Sequence, residues 1–263
     1  MIIQSGNDAS VALAERIAGT EEVFAALMNQ QAQKLGMTGS HFVNSTGLPN
    51  ENHYMTARDI ATLARAIIRD FPEYYNWYSE QKFTYNNITQ YNRDTLLRRD
   101  SSVDGLKTGY TEAAGYCLVS SAKRDGMRLV SVVMGAGSPK IRANEALALL
   151  NYGFRFYDTR SIYTAKEPVT SVRVWQGADK KLSLGLADDL SVTLPRGQWK
   201  ELSSTIQVQD SIMAPIAEGA KLGAVIVKLS EKTMLEKPLI ALTAVPEGSW
   251  WQQLTDWLLS FFA

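Results

Sequence analysis

The sequence predicts an α/β (mixed α+β) domain, followed by a small all-β, sandwich-like domain and a C-terminal amphipathic helix. Three observations predict it. Apolar residues recur at helical spacing as far as residue 68, and strand-like runs follow, including one strong hairpin. After about residue 160 the texture changes to short β-prone runs separated by Gly, Pro and Asp clusters. The last fourteen residues gather Trp, Leu and Phe on one side of a helix. The expected divisions are 1–160, 161–245 and 246–263.

Residues 9–35 predict two helices. Val11, Leu13, Ala14 and Ile17 form one apolar group, and Val23, Phe24, Leu27, Met28 and Leu35 the next. Gly19-Thr20 before Glu21-Glu22 marks a break and a fresh start whose acids suit a helix N-terminus, and Gly36 is the stop. Residues 38–55 read as a loop rich in Gly, Ser, Asn and Pro. A helix follows from Thr56 to Ile68, with Ile60, Leu63, Ala64 and Ile67 on one face and Pro72 shortly past its end. Around Asn86-Asn87 the segment from Lys82 to Leu97 reads as a hairpin. Gly115–Ala122 and Met127–Met134 are two clear strands, and the Asp125-Gly126 between them favours a tight turn. A helix over Pro139–Phe156 completes this region. Beyond it the β-prone runs are Val169–Trp175, Leu182–Leu186, Leu190–Leu194, Thr205–Val208, Leu222–Leu229 and Leu239–Ala244.

Composition excludes several functions. Lys plus Arg equals Asp plus Glu at 27 each, so the 263-residue chain carries no global field, and a nucleic-acid partner is not expected. Cys117 is the single cysteine, so no intrachain disulfide forms. His41 and His53 lie in a polar loop without further ligands, so neither metal nor cofactor is expected. Met1-Ile2-Ile3-Gln4 is not a signal peptide.

Two motifs carry chemistry. Ser5-Gly6-Asn7 precedes the first helix, and Lys107-Thr108-Gly109 precedes the strong hairpin. Alone, the first is an ordinary helix cap and the second an ordinary turn. Together, in this order and about a hundred residues apart, they match the second and third elements of the serine penicillin-recognising enzymes, Ser-x-x-Lys, Ser-x-Asn and Lys-Thr-Gly. The chemistry suits hydrolysis of a peptide ending in a free carboxylate. Lys107 offers a cation and Thr108 a hydroxyl to that carboxylate. Gly109 lets substrate lie against a strand edge. Ser5 can relay a proton to a leaving amine, and the Asn7 amide can hold a substrate carbonyl.

Longer stretches resemble the low-molecular-mass penicillin-binding proteins, the serine D-alanyl-D-alanine carboxypeptidases. They are Ile2-Ile3-Gln4-Ser5-Gly6-Asn7-Asp8-Ala9, then Gly39-Ser40-His41-Phe42 with Asn44-Ser45-Thr46-Gly47-Leu48-Pro49, then Tyr54-Met55-Thr56-Ala57-Arg58-Asp59, and Val103 through Thr111. The resemblance implies a beta-lactamase/transpeptidase-like first domain, removal of the terminal D-alanine from peptidoglycan stem peptides through a serine acyl-enzyme, and acylation by beta-lactams. It implies that Tyr110 supplies one oxyanion N–H and that Arg142 faces the same groove; the other reading of Arg142 is a solvated helix charge.

The departure is the first motif, which the family places upstream of Ser-x-Asn. The later matches, Ser79-Glu80-Gln81-Lys82 and Ser120-Ser121-Ala122-Lys123, come in the wrong order. The expectation is therefore that the first domain is N-terminally incomplete, that Met1 is internal to a longer protein, and that these residues alone form no acyl-enzyme. An incomplete sheet is expected to aggregate. Two rival readings are a non-catalytic peptidoglycan- or membrane-binding remnant and a class A beta-lactamase. Against the latter stand the all-β second domain, the amphipathic tail, and Ser-Gly-Asn in place of Ser-Asp-Asn.

At the tail, Trp250, Trp251, Leu254, Trp257, Leu258, Phe261 and Phe262 share one helix side. At ~1.5 Å per residue the segment reaches only ~20 Å, too short to cross a bilayer. A helix lying on the inner-membrane surface, at its periplasmic face, is expected. The other reading is a helix docked on the protein's own core. Residues 250–263 hold no Lys or Arg, so binding would rest on apolar burial.

Overall fold

The computed structural model describes the backbone of residues 1–260 and side chains as far as Trp257. The chain divides into two compact units, Met1–Phe156 and Tyr157 onward.

The first unit opens with α1 (Asn7–Ala18) and α2 (Glu21–Lys34), broken at Gly19 as the sequence predicts. The Thr20 side chain caps α2 by accepting from the Val23 N–H at 3.3 Å. α3 (Ala57–Asp70) is capped by Thr56, which accepts from Asp59 N–H at 3.1 Å. The short α4 (Pro72–Tyr75) runs into a 3₁₀ turn, Asn76–Ser79. β1 (Lys82–Tyr85) and β2 (Ile88–Tyr91) form the hairpin around Asn86-Asn87. Both asparagines have positive φ, 47° and 58°, as a tight two-residue turn requires. α5 (Leu96–Arg99) follows.

A three-stranded antiparallel meander of β3 (Val103–Thr111), β4 (Gly115–Arg124) and β5 (Met127–Ala136) is the centre of this unit. Asp125 (φ 47°) and Gly126 (φ 82°) turn β4 into β5. At Gly115 (φ 66°) an added Cβ would sit 3.0 Å from the Gly135 backbone, so only glycine fits where these strands close up. α6 (Pro139–Phe156) covers one sheet face, burying Ala143, Ala146 and Leu150 with Leu118 and Ala122 of β4. On the other face Val119 and Leu106 pack with Ala64 of α3 and Tyr75. The period of two along β4 sends alternate residues to opposite layers.

β3 is a correction to the sequence reading, which placed Lys107-Thr108-Gly109 just ahead of the sheet. The motif lies within the strand, and β3 is the sheet's edge, paired only with β4 among the described residues.

The second unit begins with β6 (Tyr157–Tyr163), which sequence reasoning missed because no Gly or Pro separates it from α6. Tyr157–Arg160, expected in the first domain, therefore belong to the second unit. β7 (Thr170–Arg173), β8 (Lys181–Gly185), β9 (Leu190–Pro195), β10 (Leu202–Val208), β11 (Lys221–Leu229) and β12 (Lys232–Ala241) follow. Five strands order as β10-β11-β12-β8-β7, and β6 pairs with β9. The two sheets share one core of Leu and Val, including Leu184, Leu194, Val225, Val227 and Leu239. β12 begins seven residues before the predicted Leu239, at Lys232. That stretch pairs with β11 alone, so charged residues and Pro238 are tolerated. α7 (Trp250–Ser260) ends the described chain.

Candidate active site

Ser5 sits in the turn that starts α1, with a left-handed φ of 58° and its N–H donating to Met1 O at 2.8 Å. Asn7 is the first residue of α1. Its exposed amide lines the same cleft as Ser5 and makes no hydrogen bond among the described residues. The strand edge of β3 faces this turn. Lys107 Nζ donates to Ser5 Oγ and, at 2.9 Å, to the Thr108 carbonyl. The two motifs therefore meet side chain to side chain, although 102 residues separate them.

Charge at the site is finely set. Burial, followed by the like charges of Arg93 and Arg142, lowers the Lys107 ammonium to about 8, with Asp94 pulling the other way. Near neutrality such an amine can both give and take a proton. Arg142 is buried at the start of α6 and donates through Nη1 to Gly109 O (3.1 Å) and Cys117 O (3.3 Å). It is not a solvated helix charge: it braces β3 against β4 just behind Gly109. Thr108 is buried, whereas Gly109 and Tyr110 are exposed, and Tyr110 stacks on Tyr116 at 4.2 Å.

These residues line a cleft of 1050 Å³. Its far rim is the Gly/Ser/Asn loop, where Ser45 donates to Glu21 Oε1 through N–H (2.9 Å) and hydroxyl (2.6 Å). The loop's start is tied down by Asp59 Oδ2, which accepts from Gly39 N–H (2.9 Å) and Ser40 Oγ (2.7 Å). Neither later Ser-x-x-Lys match reaches the cleft. Ser79 donates to Asn76 O at 2.7 Å within its 3₁₀ turn, and Ser120 is fully buried inside β4.

Two charged neighbours of Lys107 escaped sequence reasoning. Arg93 lines the cleft and donates to Gln4 Oε1 at 3.4 Å. Asp94 is 1% exposed; its Oδ1 accepts from Leu96 N–H at 2.9 Å while Oδ2 has no hydrogen-bond partner among the described residues. Burial raises it to about 6, against the pull of the Leu96 N–H and of Arg142, Arg98 and Lys107. Asn92-Arg93-Asp94 is a polar turn in sequence, with no signal that the fold carries it to Lys107.

The tail shows an inverted docking. Asp256 on the polar side of α7 is 2% exposed, while Trp250, Trp251, Leu254 and Trp257 are 62, 61, 41 and 50% exposed. The polar face thus meets the β-rich unit and the aromatic face looks outward. The side chain of Leu258, together with Phe261 and Phe262, lies outside the described residues. No helix among the described residues is long and apolar enough to cross a membrane. No cluster of three or more His, Cys, Asp or Glu among them could hold a metal ion.

Residues 1–138 match the family described as D-alanyl-D-alanine carboxypeptidase. The chain belongs to that family. Residues 157–247 match the C-terminal domain of penicillin-binding protein 5. Over its whole length the chain is 42% identical to D-alanyl-D-alanine carboxypeptidase DacC of Escherichia coli, of which it covers 66%. It is 35% identical to DacF of Bacillus subtilis, with 91% of the chain and 63% of that protein covered. The chain thus spans about two thirds of the length of the curated relatives it matches. Penicillin-binding protein 5 of Haemophilus influenzae has the same fold, with TM-score 0.81 and 39% identity over 94% of this chain and 72% of that one. Penicillin-binding protein D2 of Listeria monocytogenes, solved with cefotaxime bound, aligns at TM-score 0.55 and 34% identity over 59% of this chain and 63% of that one. Nothing among these matches favours the beta-lactamase alternative.

Proposed function

We propose that the cleft is the substrate-holding and proton-relaying part of a D-alanyl-D-alanine carboxypeptidase site acting on peptidoglycan stem peptides. The observation that carries this is the Lys107–Ser5 hydrogen bond at the free edge of β3. A stem peptide adds to that edge as an extended strand, with room at Gly109 for its backbone. Its terminal carboxylate meets the Thr108 hydroxyl and the positive field of Lys107 and Arg142. Asn7 holds the adjoining carbonyl, and the Tyr110 N–H serves the oxyanion. When the bond between the two D-alanines breaks, the leaving amine takes its proton from Ser5, which is resupplied by Lys107. A serine of the Ser-x-x-Lys type must supply the nucleophile, and neither Ser79 nor Ser120 lines the cleft.

The same reading makes beta-lactams ligands of the cleft, because they present a carboxylate beside a strained amide. It places the protein on the periplasmic side of the inner membrane, where its substrate lies, with the outward tryptophans of α7 at headgroup depth.

The test compares this chain with a version joined to the Ser-x-x-Lys segment of a relative. The chain alone should bind an acyl-D-Ala-D-Ala peptide without turnover, and the joined version should release D-alanine and take up fluorescent penicillin. Lys107→Ala should abolish peptide binding in the first and labelling in the second. Penicillin labelling of the chain alone, seen by intact mass, would falsify this assignment of the site.

A further inference from the structure

Asp256 anchors α7 to the β-rich unit, and the groups it meets are cationic. Its Oδ2 accepts from Lys180 Nζ at 2.6 Å and from the Gln176 backbone N–H at 2.7 Å, and its Oδ1 lies 3.7 Å from Arg173. Burial opposes ionisation of this carboxyl, but those donors and charges outweigh it and hold it below the ordinary aspartate value. Arg173 and Lys181 are cross-strand partners in β7 and β8. With Ser171, Lys180 and Thr255 they surround a cavity of 540 Å³ beside the middle of the helix.

Arg173 and Lys180 thus meet one carboxylate, which Lys180 already neutralises, and Lys181 lines the same cavity. Arg173 and Lys180 remain 50 and 45% exposed, and Lys181 forms no ion pair among the described residues. Asp179 is the nearest acid along the chain, but it does not line the cavity. The cavity therefore has an unanswered positive charge and the Ser171 hydroxyl, which suit a phosphate. Its surroundings select the kind of phosphate. Arg173 lies over the Trp175 ring at 3.7 Å, and one wall is α7, whose Trp250, Trp251, Leu254 and Trp257 face outward. A soluble phosphate has no use for an adjoining aromatic face, whereas a lipid presents an anion and hydrocarbon together.

We propose that Arg173, Lys180 and Lys181 form a headgroup site for anionic phospholipid, completed by α7 and filled when its tryptophans enter the membrane interface. The inference rests on the membrane-surface reading of α7 and goes beyond it. Residues 250–263 hold no Lys or Arg, and β7, β8 and the turn between them supply the charge they lack.

Co-sedimentation of the full chain with vesicles tests it. Vesicles of phosphatidylcholine alone are compared with vesicles of phosphatidylcholine and phosphatidylglycerol. The unaltered chain should prefer the mixed vesicles. Arg173→Gln and Lys181→Gln should each weaken binding to mixed vesicles about fivefold while leaving binding to phosphatidylcholine unchanged. Both side chains are exposed, and an unchanged circular dichroism spectrum and melting midpoint confirm the fold. A doubly substituted chain that keeps the full preference for phosphatidylglycerol overturns the proposal. So does inorganic phosphate that, at constant ionic strength, competes as well as the lipid does. Trp250→Ser with Trp251→Ser separates the two readings. Loss of binding to both vesicle types supports the membrane-surface reading, and unchanged binding to both refutes that reading itself.

Discussion

The two units of this chain bury their apolar residues in different ways. The β-rich unit has one continuous core, in which Val174, Leu184, Val225, Val227, Leu239 and Ala241 are wholly buried. The first unit divides its buried residues among three smaller clusters. It leaves Leu13, Ile17, Val23 and Leu27 exposed on α1 and α2, and Phe83, Tyr85, Ile88 and Tyr91 exposed on the β1–β2 hairpin. A sandwich satisfies both its sheets internally, whereas the meander packs β4 and β5 against α6 on one face and meets α3 and Tyr75 in a separate small cluster on the other. The consequence falls on the cleft. Lys107 and Thr108 stand on the well-packed sheet, while Ser5 and Asn7 stand on α1, held near β2 by the Gln4 amide donating to Tyr91 O at 2.6 Å.

A cavity cut into each core has the largest expected effect. Leu239→Ala should cost about 2–5 kcal/mol and lower one of two calorimetric transitions, leaving the other in place. Leu118→Ala should do the reverse. A single transition shifted by both substitutions would show that the units melt as one.

Asp94→Asn probes the packed part of the first unit through pH. A folded-state value of about 6 against an ordinary 3.8 means that the folded chain keeps this proton longer than the unfolded chain does. Below about pH 4 both states hold it and nothing is lost; as pH rises to about 6, stability falls by about 3 kcal/mol. The asparagine variant should therefore gain on the unaltered chain by about that amount above pH 6 and by nothing below pH 4. Denaturant unfolding across this range reads the difference directly, and a pH-independent gap would mean that Asp94 titrates alike in the folded and unfolded chains.

Thr56→Ala removes the α3 cap and should cost about 1 kcal/mol, with amide exchange speeding up first in the opening turn of α3. Smallest of all, Leu13→Gln on the exposed face of α1 should change stability by less than about 0.5 kcal/mol. A cost of several times that would mean that the α1 face is covered in solution and the contrast between the units is overstated.

Much of the molecule was legible in the sequence. The hairpins announced themselves through Asn86-Asn87 and Asp125-Gly126, because few residues tolerate positive φ. α6 was readable to its ends, from Pro139 to Phe156. β3 was not, since Val103-Asp104-Gly105-Leu106-Lys107-Thr108-Gly109 has two glycines and poor strand character, and pairing with β4 makes it a strand. Ser5, Asn7 and Lys107 were found by motif, and the structure brings them to one cleft. Arg93 and Asp94 were invisible because their relation to Lys107 is purely tertiary. The tail teaches the same point differently: helical spacing separated its two faces, but only the Gln176 N–H and Lys180 determine which face turns inward.

That inward carboxylate also fixes an angle. Asp256 is the only buried side chain among the described residues of α7, and its partners sit on β7 and in the turn between β7 and β8. A helix keyed at one point near its middle cannot roll about its axis without breaking three polar contacts at once. The azimuth of the aromatic face is thereby locked to the strands of the β-rich unit. On a flat surface that unit would stand in one stance rather than pivot on a loose tether.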